Sequence, residues 1–362
     1  MASTGTASEM RTPADLAESL HGADRVRVVG RADGDGLAAA ALYGRALGSL
    51  AIPRHISLSP NREAAAPTLE ANDVTVAPGL DEHEPGEQSA ALAAYETALE
   101  LGTDPDPGLA VAGAVAANVK PHGPALDAAR EAGMDTRPGL GIPTADLRAG
   151  LAYSTRFHAP FSGDPDSVAS FLDEWDRSEP ADPDDRREVA AAVALDATAQ
   201  APGERAVSAL EGVLAPRVAP GPFETIEGFA DVLNAAARFD PGAGLAALLG
   251  SVDRERLLAA WKQYGTQVHE AVAALPRTDE STVTATVEDV SPIDVARLGH
   301  AFRVPADRLA VAGPEAIALA ATDVDASERL RSAASGPVTG DENLAILHAD
   351  ADLETVLAEV TQ

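Results

Sequence analysis

The sequence predicts a two-lobed α/β fold, in which a parallel-sheet domain is joined by helices to a smaller α/β domain. Short β-branched runs alternate with alanine-rich stretches early in the chain, an order typical of parallel sheets. A charged stretch with two prolines at 177–187 interrupts that order, and a β-α-β-β-α-β order follows Ser281. We therefore expect a first domain over residues 1–180, a helical connector over 181–280 and a second α/β domain over 281–362.

The first strand–turn–helix unit opens the parallel sheet. Residues 26–29 (Val-Arg-Val-Val) predict a central strand that ends at Gly30, and residues 36–47 predict an alanine-rich helix after a polar turn. Two further strands and three helices are predicted at 55–58, 74–76, 87–101, 109–119 and 124–132. Gly133 is predicted to end the last of these helices, and Thr144 to be the N-cap of the next one.

Apolar periodicity predicts the elements of the other two parts. The connector is predicted to hold four helices, at 188–196, 204–214, 226–238 and 253–275. The second domain is predicted to hold four strands, at 282–287, 309–311, 316–320 and 344–347, and three helices, at 293–300, 326–333 and 353–360. The stretch 177–187 is the predicted linker, because it can bury little apolar surface.

The charge balance is strongly acidic. The 362 residues carry 57 acidic against 27 basic side chains, a net charge of −30, and Lys120 and Lys262 are the only lysines. Such a surface stays hydrated in concentrated salt, where self-repulsion is screened. We therefore predict a cytoplasmic protein of a halophilic archaeon, the alternative being an ordinary acidic protein. On this interpretation the charge reflects habitat and does not decide whether nucleic acid is bound.

Several absences limit the chemistry. The chain has no cysteine, which excludes disulfides, thiolate catalysis and cysteine-based metal sites. No apolar run approaches the roughly 20 residues of a membrane span, and residues 1–12 lack a signal-peptide pattern, so no membrane association is predicted. The 8 histidines are scattered without an i, i+4 pair, and each is predicted to be a surface or core residue.

The turn after the first strand is the segment richest in chemistry. It reads Asp33-Gly34-Asp35-Gly36. In an extended turn, residues two apart point the same way, so both carboxylates would converge on a metal. The glycine lets the backbone turn sharply into the helix, whose N-terminus favours a phosphate. The alternative is that the segment is simply a polar turn.

This segment resembles the first motif of the DHH phosphoesterases, in which His-x-Asp-x-Asp-Gly follows a strand and precedes a helix. Asp33, Asp35 and Gly36 match, whereas Arg31 stands at the histidine position. The resemblance implies a metal site on Asp33 and Asp35 for Mn²⁺ or Mg²⁺, with substrate contacts from Arg31 and Gly36. Because a guanidinium cannot ligate a metal, we predict that Arg31 pairs with the aspartates in place of the ion and that no cofactor is bound.

Two other segments resemble the RecJ-like branch of this family. Residues 110–118 resemble its helix Ala-Gly-Ala-Val/Ile-Gly-Asp, whose aspartate is a further metal ligand, but Ala116 and Ala117 stand at the Gly-Asp positions. Residues 228–238 resemble the archaeal phrase around Leu-Leu-Asn-Ala-Cys-Gly-Arg. The resemblance extends from residue 25 onward.

Other family motifs have decayed. The Asp-His-His motif is absent, and Asp81-Glu82-His83 is the nearest remnant. The Gly-Gly-Gly-His segment that grips nucleic-acid phosphates in the family is reduced to Gly-Pro-Val-Thr-Gly-Asp-Glu-Asn at 336–343. Two-metal catalysis needs several ligands around ions about 3.5–4 Å apart. We therefore predict that catalysis is lost and that Asp33 and Asp35 are vestigial.

Residues 153–161 are unusually aromatic for this chain. They could stack the bases of a single strand beside Arg156, which makes Arg156 a substrate-binding candidate. The alternative is that the segment packs the edge of the first domain.

The resemblance implies two functional hypotheses. The first is a non-catalytic RecJ-like scaffold subunit in DNA replication or repair, which binds GINS- and MCM-type replisome proteins or single-stranded nucleic acid. The second is a manganese-dependent RecJ-like single-strand exonuclease or oligonucleotide phosphodiesterase with a residual site on Asp33 and Asp35. A histidine or a third carboxylate near these two aspartates would favour the enzyme.

Overall fold

The computed structural model describes residues 12–60, 73–80, 89–174, 183–199, 203–250, 252–278, 280–348 and 353–360. Within these ranges, the N-terminal lobe (residues 12–174) contains a three-stranded parallel sheet. Its strands are β1 (Arg25–Arg31), β2 (Arg54–Ser59) and β3 (Asp73–Val76), in the order β2-β1-β3. The predicted parallel sheet and its central first strand are confirmed.

Helices cover this sheet. They are α1 (Pro13–His21), α2 (Gly34–Ser49), α3 (Ala90–Glu100), α4 (Pro107–Ala116), α5 (Gly123–Glu131), α6 (Leu147–Tyr153) and α7 (Pro165–Glu174). The short strand β4 (Asp135–Thr136) lies between α5 and α6. Helix α2 is central and packs on β1, α3 and α4. Its four alanines at 38–41 are fully buried, because small side chains let neighbouring helices approach from every side.

The connector is mainly helical. It contains α8 (Pro183–Thr198), α9 (Glu204–Glu211), the short strand β5 (Arg217–Val218), α10 (Ile226–Phe239), α11 (Pro241–Leu249) and α12 (Arg254–Ala274). Strand β5 pairs antiparallel with β4 and so joins the connector to the N-terminal lobe. Helix α10 packs against α2, α4 and α12. The connector is thus packed against the N-terminal lobe through both β5 and α10.

The C-terminal lobe (residues 282–360) is a five-stranded sheet between helices. Its elements are β6 (Thr282–Thr286), α13 (Pro292–Phe302), β7 (Arg308–Ala312), β8 (Ala316–Ala321), α14 (Ala326–Ala333), β9 (Val338–Gly340), β10 (Leu344–His348) and α15 (Leu353–Val360). The sheet order is β6-β7-β8-β10-β9, with β6 parallel to β7 and the other pairs antiparallel. The predicted β-α-β-β-α-β order is confirmed, with β9 in addition.

Two apolar clusters fill the interior. The larger one extends through both lobes and includes the α13 face of the C-terminal sheet. The smaller one packs α14 and α15 on the opposite face of that sheet. Strand β8 is buried at every position, as expected of a strand covered on both faces. Among the described residues, no helix combines the length and apolarity needed to cross a membrane.

Several local predictions need correction. Helix α6 begins after Asp146, whose side chain accepts a hydrogen bond from Ala149 N at 3.0 Å, so the predicted N-cap at Thr144 is wrong. The Thr144 hydroxyl instead accepts a bond from Asp146 N. The predicted linker at 177–187 is wrong from Pro183 onward, because those residues form the start of α8, where proline fits the first helical turn. Residues 177–182 of that linker lie outside the described residues.

Other elements were not predicted from the sequence. They are the helices α1, α7 and α11 and the short strands β4, β5 and β9. Gly133, by contrast, follows the end of α5 with a φ of +101°, the left-handed conformation that commonly ends helices. That helix end is therefore predicted correctly.

Candidate functional site

The backbone between β1 and α2 makes a very close turn. A Cβ atom on Gly36 would lie 2.2 Å from the carbonyl oxygen of Arg31, and one on Gly30 would lie 2.5 Å from the carbonyl oxygen of Gly36. Any larger residue at either position would clash with main chain. The sequence predicts a substrate contact for Gly36. The close turn by itself explains why glycine stands at this position, without a ligand.

Asp33 is the N-cap of α2. Its Oδ1 accepts a hydrogen bond from Gly36 N at 2.8 Å, and its Oδ2 pairs with Nε of Arg31. Gly34, Asp35 and Gly36 are therefore the first turn of α2, and the extended turn predicted for them is wrong. Burial acts to raise the pKa of Asp33, but Arg31 and the Gly36 amide outweigh it and hold that pKa below its usual value.

Arg31 lies at the end of β1 against this carboxylate. Besides the pair with Asp33, its Nη1 donates to the carbonyl oxygen of Gly79 at 3.1 Å. Burial opposes the charge of the guanidinium, but Asp33 and Asp35 outweigh it and raise the pKa of Arg31 above its usual value. The predicted ion pair between Arg31 and an aspartate is confirmed.

Asp35 points to a different helix. Its side chain is buried, and three donors at the start of α3 reach it: Ser89 Oγ at 2.7 Å, Ala90 N at 2.8 Å and Ala91 N at 2.9 Å. The carboxylate thus satisfies backbone N–H groups that a helix N-terminus leaves free. Burial and the neighbouring charge of Asp33 raise the pKa of Asp35 to about 6.

These residues do not fit a pair of divalent cations. Both oxygens of Asp33 and both oxygens of Asp35 already accept hydrogen bonds or an ion pair. A guanidinium lies beside them where the family motif has histidine. Among the residues that the structure describes, no group of three His, Asp or Glu side chains could hold a metal ion. The predicted remnant Asp81-Glu82-His83 lies outside the described residues.

Two residues near this turn, Asn234 and His348, are not predicted from the sequence to belong to the site. Asn234 of α10 accepts a hydrogen bond from Gly34 N at 2.9 Å and donates one to the carbonyl oxygen of Ala116 at 3.2 Å, and so ties α2 to the end of α4. His348 ends β10 of the C-terminal lobe, and burial and the nearby charge of Arg31 lower its pKa. Asn234 lies within the motif at 228–238, so the sequence could have pointed to it. No motif in the sequence points to His348.

The segment 336–343 forms a hairpin with β10. Strand β9 pairs with β10, and the Asp341 carboxylate closes the turn by accepting from Asn343 N at 2.8 Å and Leu344 N at 3.0 Å. A Cβ atom on Gly340, whose φ is +121°, would lie 2.2 Å from the carbonyl oxygen of Leu344. Gly340 of this segment is therefore explained by backbone geometry.

Arg156 lies away from the Arg31 site, beside a different set of charges. Burial and the neighbouring Arg297 lower its pKa, with Asp231 and Glu227 acting against them. Its Nε is buried without a hydrogen-bond partner among the described residues. Phe157 and Phe161, which follow it in the aromatic segment, are buried. This burial favours packing over base stacking for residues 153–161.

The connector meets the C-terminal lobe at a second set of charged groups, which we term the inter-lobe cluster: Arg238, Tyr264, Asp294 and Arg297. Asp294, at the start of α13, is buried and pairs with Arg238 of α10. It also accepts a bond from Tyr264 Oη at 2.7 Å, and Arg297 lies 3.4 Å from its other oxygen. Burial acts to raise the pKa of Asp294, but Arg238 and Arg297 hold it below its usual value.

This cluster lies close enough to the first site to influence it. Arg238 is among the charges that lower the pKa of Asp33. Arg297 donates to the carbonyl oxygen of Thr155 at 2.8 Å, which ties α13 to the N-terminal lobe. Arg238 belongs to the motif at 228–238, but no partner for it was predicted.

Comparison with solved structures identifies the fold. RecJ from Thermus thermophilus, in complex with Mn²⁺, superposes with a TM-score of 0.50 and 17% sequence identity, covering 96% of this chain and 53% of that chain. This chain therefore spans about half the length of that protein. CDC45 from Entamoeba histolytica gives a TM-score of 0.49 with 8% identity, covering 95% of this chain and 96% of that one; this likeness is too low to support an inference. The chain has the RecJ-like DHH fold, as its motifs predicted.

The nearer relationship is to a haloarchaeal sequence. No protein-family model matches the chain. It is 41% identical over 343 residues to the uncharacterized protein rrnAC1427 of Haloarcula marismortui, a match that covers 92% of this chain and 91% of that protein. The chain belongs to the same family as rrnAC1427.

Proposed function

We propose that this chain is a non-catalytic protein of RecJ-like DHH fold, which acts as a scaffold in DNA replication or repair. The observation that carries the proposal is the hydrogen bonding of Asp35. Its carboxylate is committed to three donors at the start of α3, so it cannot hold a divalent cation without exposing those donors. Helix α3 and the metal would compete for the same oxygens.

The neighbouring groups support the same conclusion. A solved RecJ carries Mn²⁺, and a cation is also present in this chain, but it is the guanidinium of Arg31 on Asp33. A guanidinium neutralises a carboxylate yet offers no open coordination position for a water or a phosphate oxygen. The fold is thus retained while the donor set that would hold two metals is used for structure. The partners we propose are replisome proteins of the GINS type, with single-stranded nucleic acid as the alternative.

One observation favours the enzymatic alternative, a RecJ-like exonuclease or oligonucleotide phosphodiesterase. His348 reaches from the C-terminal lobe to a position where Arg31 and Asp33 influence its pKa. A histidine near Asp33 would be a further donor of the kind that this chemistry uses. Against it stands Arg31, which lies on the same carboxylate.

Hydrolysis assays test the proposal. The full chain in molar KCl is expected to release no more nucleotide from single-stranded DNA or RNA, with Mn²⁺ or Mg²⁺, than buffer does, and Thermus RecJ assayed in its own buffer is the positive control. Metal-dependent turnover that disappears in Asp33→Ala would overturn the proposal and support the enzyme. Capture of replisome proteins from the native host at high salt, identified by mass spectrometry, tests the scaffold role.

Two broader expectations stay predictions. The acidic composition predicts a halophilic archaeal host and a cytoplasmic location, and a relative from Haloarcula marismortui supports the choice of host. The division into 1–180, 181–280 and 281–362 is likewise a proposal, which limited proteolysis can test.

A further inference from the structure

A groove lies between the end of α12 and strand β6, at the edge of the C-terminal sheet. We term it the acidic groove; its volume is ≈ 450 Å³. Half-buried apolar side chains contribute to its lining, among them Ala271, Ala285, Val287 and Val290. Its charged side chains are Glu270, Glu288 and Asp289, all exposed, and no lysine, arginine or histidine of the described residues lines it. The groove is therefore apolar within and purely anionic at its charged positions.

The strand beside this groove has an unpaired edge. Within the part of the chain that the structure describes, strand β6 is last in its sheet and pairs with β7 alone. Ser281 O accepts from Arg308 N at 3.0 Å and Val287 N donates to Ala312 O at 2.8 Å. Because backbone groups alternate in direction along a strand, the N–H and C=O of Thr284 and Thr286 point away from β7. Such an edge is a template for another strand.

A buried acceptor adds a second need for a donor. Oε1 of Gln267, a residue that lines the groove, is buried without a hydrogen-bond partner among the described residues. A buried polar atom left unpaired costs free energy, which a donor from a ligand would recover. The outward carbonyl groups of β6, the three carboxylates and this amide oxygen all accept hydrogen bonds, and the carboxylates favour positively charged donors.

We propose that the acidic groove binds an extended, arginine- or lysine-rich segment of a partner protein, which adds to β6 as a further strand. Alternate side chains of an added strand point to opposite sides, so one set would pack on the apolar lining while basic side chains meet Glu270, Glu288 and Asp289. Strand addition of this kind takes its affinity from main-chain hydrogen bonds and its specificity from alternate side chains. A second copy of this chain is disfavoured, because its own three carboxylates would accompany its β6.

This inference rests on the proposed scaffold function only for the kind of partner that supplies the segment. Peptide binding to the groove is tested separately from that function. The probe is a fluorescein-labelled peptide of alternating valine and arginine, as long as β6. Its binding to the full chain is followed by fluorescence anisotropy at a fixed, high KCl concentration, with a valine–glutamate peptide as the charge control. The chain has no cysteine, so single-cysteine variants can additionally place the bound peptide by distance measurement.

Two protein variants distinguish the contribution of the β6 edge to peptide binding from that of the three carboxylates. Thr284→Pro removes one outward-facing N–H, and proline is tolerated at edge positions whose N–H faces solvent. The triple variant Glu270→Gln, Glu288→Gln and Asp289→Asn removes the three carboxylates. Its matched control removes three exposed carboxylates of the N-terminal lobe, by Glu100→Gln, Glu131→Gln and Asp173→Asn.

The expected result is saturable binding of the arginine peptide and none of the glutamate peptide. Thr284→Pro and the groove triple variant should each weaken binding by about tenfold or more, with no change in the control triple variant. Equal weakening in both triple variants, unchanged binding in a folded Thr284→Pro, no binding by the wild type, or a dimer that Thr284→Pro dissociates would each overturn the inference. If Thr284→Pro does not fold, the two triple variants decide. Metal-dependent hydrolysis would overturn the scaffold function without affecting this result.

Discussion

Arginine and aspartate form a partly buried pair in two places, and the two pairs differ in the sequence separation of their partners. At the end of β1, Arg31 pairs with Asp33 two residues away in the sequence, and Asp33 caps the helix that follows. In the inter-lobe cluster, Arg238 pairs with Asp294 at a separation of 56 residues. The first pair stabilises a turn and the second joins the connector to the C-terminal lobe. Similar chemistry therefore has a local effect in one region and a global one in the other, and removing each pair should show the difference.

The largest effect is expected from Asp294→Ala. This change leaves Arg238, whose side chain is only 16% exposed, without its carboxylate. Removing one partner of a buried pair costs about 3–5 kcal/mol, so the free energy of unfolding measured in urea should fall by that amount. Asp323→Ala is the matched control, since it breaks an exposed pair with Arg308 in the same lobe; it should cost at most about 1 kcal/mol. Equal losses in the two variants would contradict a joining role for Asp294.

A smaller loss is expected from Asp35→Ala. The change removes the acceptor of three donors at the start of α3, and losing a cap with buried donors costs about 2 kcal/mol. Asp106→Ala, which removes the more exposed cap of α4, should cost about 1 kcal/mol or less. Both are measured by urea unfolding with and without Mn²⁺. A rise in stability on adding Mn²⁺ to the wild type that Asp35→Ala abolishes would show a metal site at Asp35.

Arg31→Ala should cost less again. The side chains of Arg31 and Asp33 are 25% and 21% exposed, so solvent screens part of their attraction and the expected loss is about 1–2 kcal/mol. Added Mn²⁺ should recover little of it. Arg31→His restores the family residue but should not restore hydrolysis, because Asp35 is still bound to α3. A change below about 0.5 kcal/mol in Arg31→Ala, the usual size for a surface position, would show that Arg31 does not replace a metal.

The smallest effects are opposite dependences on pH. The pKa of Asp35 is raised from 3.8 to about 6, so its folded form holds a proton more readily than its unfolded form. Its contribution to stability is present at low pH and is lost as pH rises from about 4 to about 6. The pKa of Asp294 is lowered, so its contribution is present above the usual value of 3.8 and is lost as pH falls below it.

Unfolding in urea across this pH range measures both dependences. The stability difference between wild type and Asp35→Asn should shrink as pH rises, whereas that between wild type and Asp294→Asn should shrink as pH falls, each by no more than about 1.4 kcal/mol per pH unit. Burial lowers the pKa values of His158 and His269 to about 4 and about 3. These histidines titrate alike in every variant, so they cancel in the differences. If the two stability differences changed with pH in the same direction, Asp35 and Asp294 would not differ in the way proposed here.

The sequence predicts the local pair and misses the distant one for the same physical reason. Arg31 and Asp33 lie within one turn, where spacing alone limits which groups can meet. Asp35 meets Ser89 across 54 residues, and Arg238 meets Asp294 across 56; neither contact leaves a periodic pattern. The parallel sheet and most helices were predicted, because apolar periodicity records which face is buried. The start of α2 was missed, because aspartate and glycine favour turns as strongly as helix starts.

The anchoring of α3 by Asp35 also opposes metal binding at this turn. A histidine at position 31 would add a donor, but Asp35 could bind a metal only by releasing the amide groups of Ala90 and Ala91. A substitution that frees Asp35 should therefore lower stability before it allows a metal to bind. Asp35 gives this motif a structural reason to persist that does not depend on a metal, because the same carboxylate anchors α3.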